Sequence, residues 1–468
     1  MHSKTQAESL CHKHTCNNLL PMWDRPSAAS EACAPSVAAI QVWPGALLCA
    51  LLAVSFVAYA QDADARARVR AVRNLARQGD DAIPKIAAYV RDADLEVRLE
   101  AVKALDDIGG PKTLDGLVAG LRDADPEVQV RATDGVVNIY LPGYLKNGFA
   151  GSVRRAGTAI RGRFTDTNDQ VVDAFVVVKP EAIEALGGVV RGSASFDGRS
   201  NAARALGILR GKAALPDLIE ALRSKEGRLM YEALIAIQKI GDPTAAPRLT
   251  FLLRDLDDRV QITALETTGL LRNRDAAPEV RDALEHSRND KIRKAALAAL
   301  AILADPADHP RFISGLAEHD EGVRAAAAEG LGRLKNPVDR ALLEKTLAAE
   351  RSSNPRLALC FALVSLGNLE TADLSPLRYL VNTLNQRGYR GVALAFLTEI
   401  AREARVRQTL YTVLGRATTD EKTGLAMVFG RSGDKDSVPI LETLSKDANP
   451  DAAAEGVRSL RNLRARLP

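Results

Sequence analysis

One pattern returns along this chain every 31 or 32 residues, with one longer step, and that period constrains the fold more than any single residue does. Take Val97, Val128, Thr167, Gly198, Leu229, Val260, Ile292, Val323, Pro355 and Ala452 as anchors. Eleven places on stands Ile108, Ile139, Val178, Leu209, Ile240, Leu271, Leu303, Leu334, Leu366 or Leu463, aliphatic in every case. Four places on, the residue is mostly alanine: Ala101, Ala132, Ala202, Ala233, Ala264, Ala296 and Ala327. Eight places on it is apolar, with Thr268 the exception. Offsets of 0, 4, 8 and 11 trace one face of an α-helix, and the small residue at 4 lets a neighbouring helix approach. A unit this short cannot bury its apolar face alone, so it must stack on its neighbours.

The punctuation agrees with the period. Three residues before the anchors stand Asp94, Asp125, Ser195, Asp257, Asn289, Asp320, Ser352 and Asn449, side chains suited to accepting from the free amides of a first helical turn. Pro126 and Pro450 fall in that turn, where a missing N–H costs little. A second helix follows each first one, as in Leu114, Leu117, Val118 and Leu121, with Gly109-Gly110-Pro111 and Gly241-Asp242-Pro243 making turns between. Aromatics make up only 4% of the chain, as suits closely packed short helices. Four of the five cysteines (Cys11, Cys16, Cys33, Cys49) precede the array. Cys360 alone lies within it, beside Leu359 and Leu363, so packing rather than an internal disulfide must hold the array.

The stretches Asp94-Leu-Glu-Val-Arg-Leu-Glu-Ala-Val-Lys-Ala-Leu105 and Asp320-Glu-Gly-Val-Arg-Ala-Ala-Ala-Ala-Glu-Gly-Leu331, with the recurring Arg98, Arg293 and Arg324, resemble the HEAT-repeat superfamily. Within it they are most similar to the short phycobilisome-lyase-like repeats, over most of residues 62 to 468. The resemblance implies arrays that serve mainly as binding scaffolds. Two activities occur in or near that family: chromophore lyases, and a di-iron hydroxylase that holds iron through His-Glu dyads on successive helices.

The residues themselves offer no such chemistry. The array contains only His286, His309 and His319. Glu285-His286 and Glu318-His319 are reversed dyads one repeat apart, but their offsets from the anchors differ, and a metal site needs three or four convergent ligands. They read as exposed loop histidines. No Gly-rich phosphate loop, Gly-x-Ser-x-Gly or His-Glu-x-x-His occurs, so no catalytic set, cofactor, metal or small-molecule substrate is expected. Lys+Arg 63 against Asp+Glu 59 leaves +4, too little to imply a nucleic-acid partner.

Residues 1–60 read as a leader. The apolar run 45–60 closes on Ala58-Tyr59-Ala60 before Gln61-Asp62, the pattern of a secretory signal cleaved after Ala60. This implies a periplasmic or secreted protein. Arg66, Arg68, Arg70 and Arg73 follow at once and resist export, which supports the alternative of an uncleaved membrane anchor through residues 45–60. The metal-like Cys11-His12-Lys13-His14-Thr15-Cys16 belongs to this leader and has no fold around it.

The longer step, 39 residues from Val128 to Thr167, places an insertion at residues 140–150. From Gly135 to Thr165 the chain carries Lys146, Arg154, Arg155, Arg161 and Arg163 with no acid, and Tyr140, Tyr144, Phe149 and Phe164 in a chain otherwise poor in aromatics. Insertions in such arrays map to loops on one face, and Arg and Tyr are enriched at interface hot spots. Tyr144, Lys146, Phe149, Arg154, Arg155, Arg161 and Arg163 are therefore the candidate partner-binding residues; the bland alternative is a loop packed back on the array. Beyond it, Val171, Phe175 and Val178 fit the grid as the inward face of a further helix despite their β-branched neighbours.

The expectation is an all-α, right-handed α-solenoid of about twelve antiparallel helix pairs over residues 62–468. Its function is a non-enzymatic scaffold that binds a protein. The alternatives are an enzyme or enzyme accessory of the lyase/hydroxylase kind, or an anionic-polymer binder acting through residues 146–163.

Overall fold

A computed structural model of the chain describes residues 63–142 and 171–468. Its helices are α1 (63–76), α2 (Ile83–Tyr89), α3 (Leu95–Ile108), α4 (Leu114–Leu121) and α5 (Pro126–Tyr140). After an interruption come α6 (Pro180–Gly192), α7 (Phe196–Ile208), α8 (Leu215–Ala221), α9 (Gly227–Ile240), α10 (Asp258–Leu270), α11 (Ala277–His286), α12 (Asp290–Leu303) and α13 (His309–Gly315). The chain continues with α14 (Glu321–Leu334), α15 (Arg340–Ala349), α16 (Ser353–Ser365), α17 (Pro376–Asn382), α18 (Arg390–Ile400), α19 (Ala404–Val413), α20 (Thr419–Ser432), α21 (Val438–Leu444) and α22 (Pro450–Arg464). No strand occurs among the described residues.

The first helix of each pair begins where a side chain can take its free amides. Asp94, Asp125, Asp257, Asp320 and Asn449 each accept from two backbone N–H groups, and Ser195 and Asn289 from one. Ser352 does not act this way. Glu350 instead accepts from the amides of Arg351 and Ser352, at 2.9 and 2.8 Å. Val97, Ala101 and Leu105 are fully buried, as are the alanines at the same place as Ala101 in later units. The residues eleven places on lie at the margin of the core: Leu209, Leu271, Leu303 and Leu463 are buried, whereas Ile108, Ile139, Ile240, Leu334 and Leu366 are half-buried.

Two ladders result. The first helices (α3, α5, α7, α9, α10, α12, α14, α16, α18, α20, α22) pack on one another more closely than the second helices do. Small residues make this possible. A Cβ placed on Gly207 would lie 2.7 Å from the Cα of Ala236, and one on Gly269 3.0 Å from the Cα of Ala299. Gly332 meets Ala362, and Gly430 meets Ser459, in the same way. A ladder whose rungs stand closer on one side bends toward that side, so the first helices line the inner, concave face. The outer ladder is shorter-runged, and after α9 two 3-10 turns, Pro243–Arg248 and Thr250–Arg254, replace its helix because Pro247 falls mid-segment.

The grid fails at one unit. The helix expected to carry Val171, Phe175 and Val178 inward does not form: residues 171–179 are bend, turn and irregular chain, and of that run Val172 is the buried residue. The reason is packing. α5 contacts α7 directly and α4 contacts α6, so α6 is the outer partner of α5 and no inner slot is left between α5 and α7. With nothing to bury a further helix face, the β-branched run, poor in helix propensity, stays out of a helix. Among the described residues, the non-helical stretch from 171 runs to Lys179, directly before α6. It also removes one of the expected pairs: the described pairs run from α1 with α2 to α20 with α21, and α22 closes the array alone.

Candidate functional site

The first helices bring their polar positions together as rungs across the inner face. The Asn138 amide donates to Asp106 at 2.9 Å and the Asn201 amide to Asp134 at 3.0 Å, linking α3 to α5 and α5 to α7. Arg204 reaches Glu232 on α9 at 2.6 and 3.2 Å, and Gln238 donates to Thr267 on α10 at 2.8 Å. Burial pushes the Asp106 and Asp134 carboxyls above their ordinary range, and the amide hydrogen bonds only partly offset this. By the helical register, Lys103, Asp107, Arg131 and Leu270 stand exposed on the same face. The inner surface is thus mixed in charge and largely self-satisfied.

Farther along, the face tightens into a knot. Arg333 on α14 donates to Glu329 at 2.8 Å and, across the small Ala362 of α16, donates twice to Glu399 on α18, at 2.9 and 2.8 Å. Its guanidinium lies 5.0 Å from the Phe361 ring centre, and Phe361 stacks on Phe396 at 4.7 Å. Burial raises Glu329 despite Arg333. Burial also works upward on Glu399, but there the Arg333 charge and its paired hydrogen bonds win and hold the carboxyl low. One arginine cannot neutralise two buried carboxylates, so the proton preference falls on Glu329, the more enclosed of the two.

The recurring arginines tie neighbouring loops. Arg98 pairs with Asp123 of the next unit at 2.7 Å and donates to the Asp92 and Ala93 carbonyls. Arg324 does the same with Glu350 at 2.7 Å and with the carbonyls of Glu318 and His319. Arg293 departs from this, pairing with Asp290 of its own helix. This role was not legible before the structure, although the arginines' spacing marked them.

The candidate residues Tyr144, Lys146, Phe149, Arg154, Arg155, Arg161 and Arg163 lie outside the described residues, as does the leader with its apolar run and its cysteine–histidine cluster. The histidine dyads are drawn to separate partners. His286 contacts Asp282 one turn back in α11, Glu285 pairs with Arg311, and His309 contacts Asp339 at 2.9 Å. No group of three or more metal-ligating side chains converges among the described residues. Sequence reading missed the Arg333 knot. Glu329 and Arg333 are one helical turn apart and could have been paired, but Glu399 sits on α18, where the period is no longer readable.

The family model for HEAT repeats matches residues 54–135, 183–258 and 249–318, and the gap between the first two matches holds the interruption described above. Over those residues the chain is similar to HEAT repeats. The chain is 28% identical over 228 residues to phycocyanobilin lyase subunit alpha of Nostoc sp., spanning 46% of this chain and 77% of that protein. It is 32% identical over 157 residues to the bilin biosynthesis protein PecE of Mastigocladus laminosus, spanning 33% of this chain and 58% of PecE. The chain thus spans little more than half the length of PecE. Among solved structures it is similar to the complex of CpcE and CpcF of phycocyanin lyase from Nostoc sp., at 21% identity and a TM-score of 0.32, covering 54% of this chain and 94% of that one.

Proposed function

We propose that this chain is a non-enzymatic scaffold that holds a protein on the concave face lined by its first helices. The observation that carries this reading is the inner surface itself: a continuous series of polar rungs from Asp106–Asn138 to Arg204–Glu232, with Lys103, Asp107, Arg131 and Leu270 left open between and beside them. A rigid, curved, mixed-charge surface recognises shape and charge pattern, which suits a folded partner. A relative named as a subunit, phycocyanobilin lyase subunit alpha, is consistent with work done in an assembly. The basic and aromatic residues Tyr144 to Arg163, which lie outside the described residues, are proposed as a second contact region. Export through residues 45–60, or anchoring by them, belongs to the same reading; alkaline phosphatase fused after Ala60 is active only if the fusion leaves the cytoplasm.

The same relative favours one competing reading, an enzyme or enzyme accessory that handles a tetrapyrrole chromophore. Absorption spectroscopy and metal analysis of the purified chain separate the two. A scaffold gives a spectrum of aromatic side chains alone and metal far below stoichiometry. A visible chromophore band, or iron near one per chain, overturns the scaffold reading. The small net charge of +4 weighs against the third reading, an anionic-polymer binder.

A further inference from the structure

The non-helical segment 171–179 makes a joint that no repeat period foretells. Its near end is pinned to the array: the Val172 N–H donates to the Ile208 carbonyl at the end of α7, at 2.9 Å, and the Val172 side chain is buried. The next residues face α22, the last helix. The Asp173 carboxylate accepts from Arg458 Nε at 2.9 and 3.0 Å and from Asn462 Nδ2 at 3.0 Å. The Asn462 carbonyl oxygen in turn accepts from the Ala174 N–H at 2.7 Å, and the Arg461 guanidinium lies over the Phe175 ring at 5.9 Å. Arg458, Arg461 and Asn462 share one face of α22 by their spacing of three and four. The curvature of the inner ladder has brought the two ends of this stretch of array together.

This joint differs in kind from the others. Successive repeats meet through fully buried aliphatic side chains such as Leu206, Leu234 and Leu265. Here the contacts include one ion pair, two amide hydrogen bonds and a loose cation–π contact. The Arg458 side chain keeps 48% of its surface exposed and Asp173 keeps 22%. Exposed ion pairs add little and weaken with salt, so this is the joint that opens first. Opening it breaks no helix.

We propose that the contact between the 171–179 segment and α22 is a reversible latch, which closes the array on itself and must open to admit a bulky partner to the concave face. The closure stands without the scaffold reading; only the partner's entry rests on it.

The test reads the closure alone. Spin labels are placed on Val177→Cys and Ala465→Cys in the full chain, with Cys11, Cys16, Cys33 and Cys49 changed to serine and the buried Cys360 kept. Distances between them are measured by double electron–electron resonance. At low salt one short-distance population is expected. Asp173→Ala, or salt at about 1 M, is expected to lower the closed population relative to the open one about two- to fivefold. Asn462→Ala acts in the same direction, and the charge swap Asp173→Arg with Arg458→Asp restores the short distance. Circular dichroism melting stays unchanged throughout. Distances that ignore salt and substitution alike would show a fixed structural joint, and a long distance in the unmodified chain would show an open array; either overturns the latch.

Discussion

Gly332 of α14 and Ala362 of α16 lie so close that a Cβ on the glycine would stand 2.6 Å from the Cα of the alanine. Nothing flexible separates them, so a methyl group at 332 must push two backbones apart. The same contact recurs along the inner ladder, at Gly207 with Ala236 and Gly269 with Ala299. It sets how tightly the concave face is drawn together.

Gly332→Ala is therefore expected to destabilise the protein by about 1–2 kcal/mol, because overpacking outweighs the better helix propensity of alanine. Gly188, inside α6, has no heavy atom nearer than 4.0 Å to such a Cβ. Gly188→Ala should stabilise by about 0.5–1 kcal/mol through propensity alone. Chemical denaturation of the two variants checks the opposite signs. Equal effects would mean that the close approach does not govern the packing.

Glu350 gives a pH-dependent counterpart. The Arg324 guanidinium, with the amides of Ser352 and Arg351, holds its carboxyl down at about 2, well below the ordinary glutamate value, although burial works the other way. A depressed folded value means the stabilisation is fully present above the unfolded value and is lost as pH falls through the folded one. Glu350→Gln should then cost on the order of 3 kcal/mol near neutrality. The variant and the unmodified protein should converge as pH falls from about 4.5 toward about 2, the folded value. Thermal melts across that range measure the convergence. A gap that persists at the acid end would assign the cost to packing instead.

Much of this architecture was legible in the sequence, for a physical reason. A repeat array is specified locally, so the spacing of Val97, Ala101, Leu105 and Asp94 fixes a helix, its buried face and its start. Two kinds of feature were not legible. One is the side chain that crosses more than one unit: Arg333 reaching Glu399, or Asp173 reaching Arg458, depends on accumulated curvature that no local pattern encodes. The other is the failed helix at 171–178. Its apolar spacing satisfied the grid, but whether a helix forms there depends on a free slot beside α5, and α7 already fills that place. The candidate residues from Tyr144 to Arg163 stand out by composition alone and lie outside the described residues.

Cys360 tests the depth of the core. It is buried on α16 among Leu357, Phe361 and Val364, and burial pushes its thiol up to about 12. Thiolate is the reactive form, so alkylation in the native protein should be far slower than in denaturant. Peptide mapping of iodoacetamide-treated protein follows this site separately from the leader cysteines. Native labelling as fast as unfolded labelling would place α16 at the surface.

The central claim is that the concave face holds a protein, and site-specific photo-crosslinking in cells of the native source tests it most directly. A benzophenone amino acid is placed singly at Lys103, Arg131 and Leu270 on the inner ladder, and at Phe251 and Leu342 on the outer one. The account predicts that the inner positions trap one and the same protein and that the outer positions do not. Crosslinks confined to Phe251 and Leu342, or inner positions that trap nothing while the protein is folded, would contradict it.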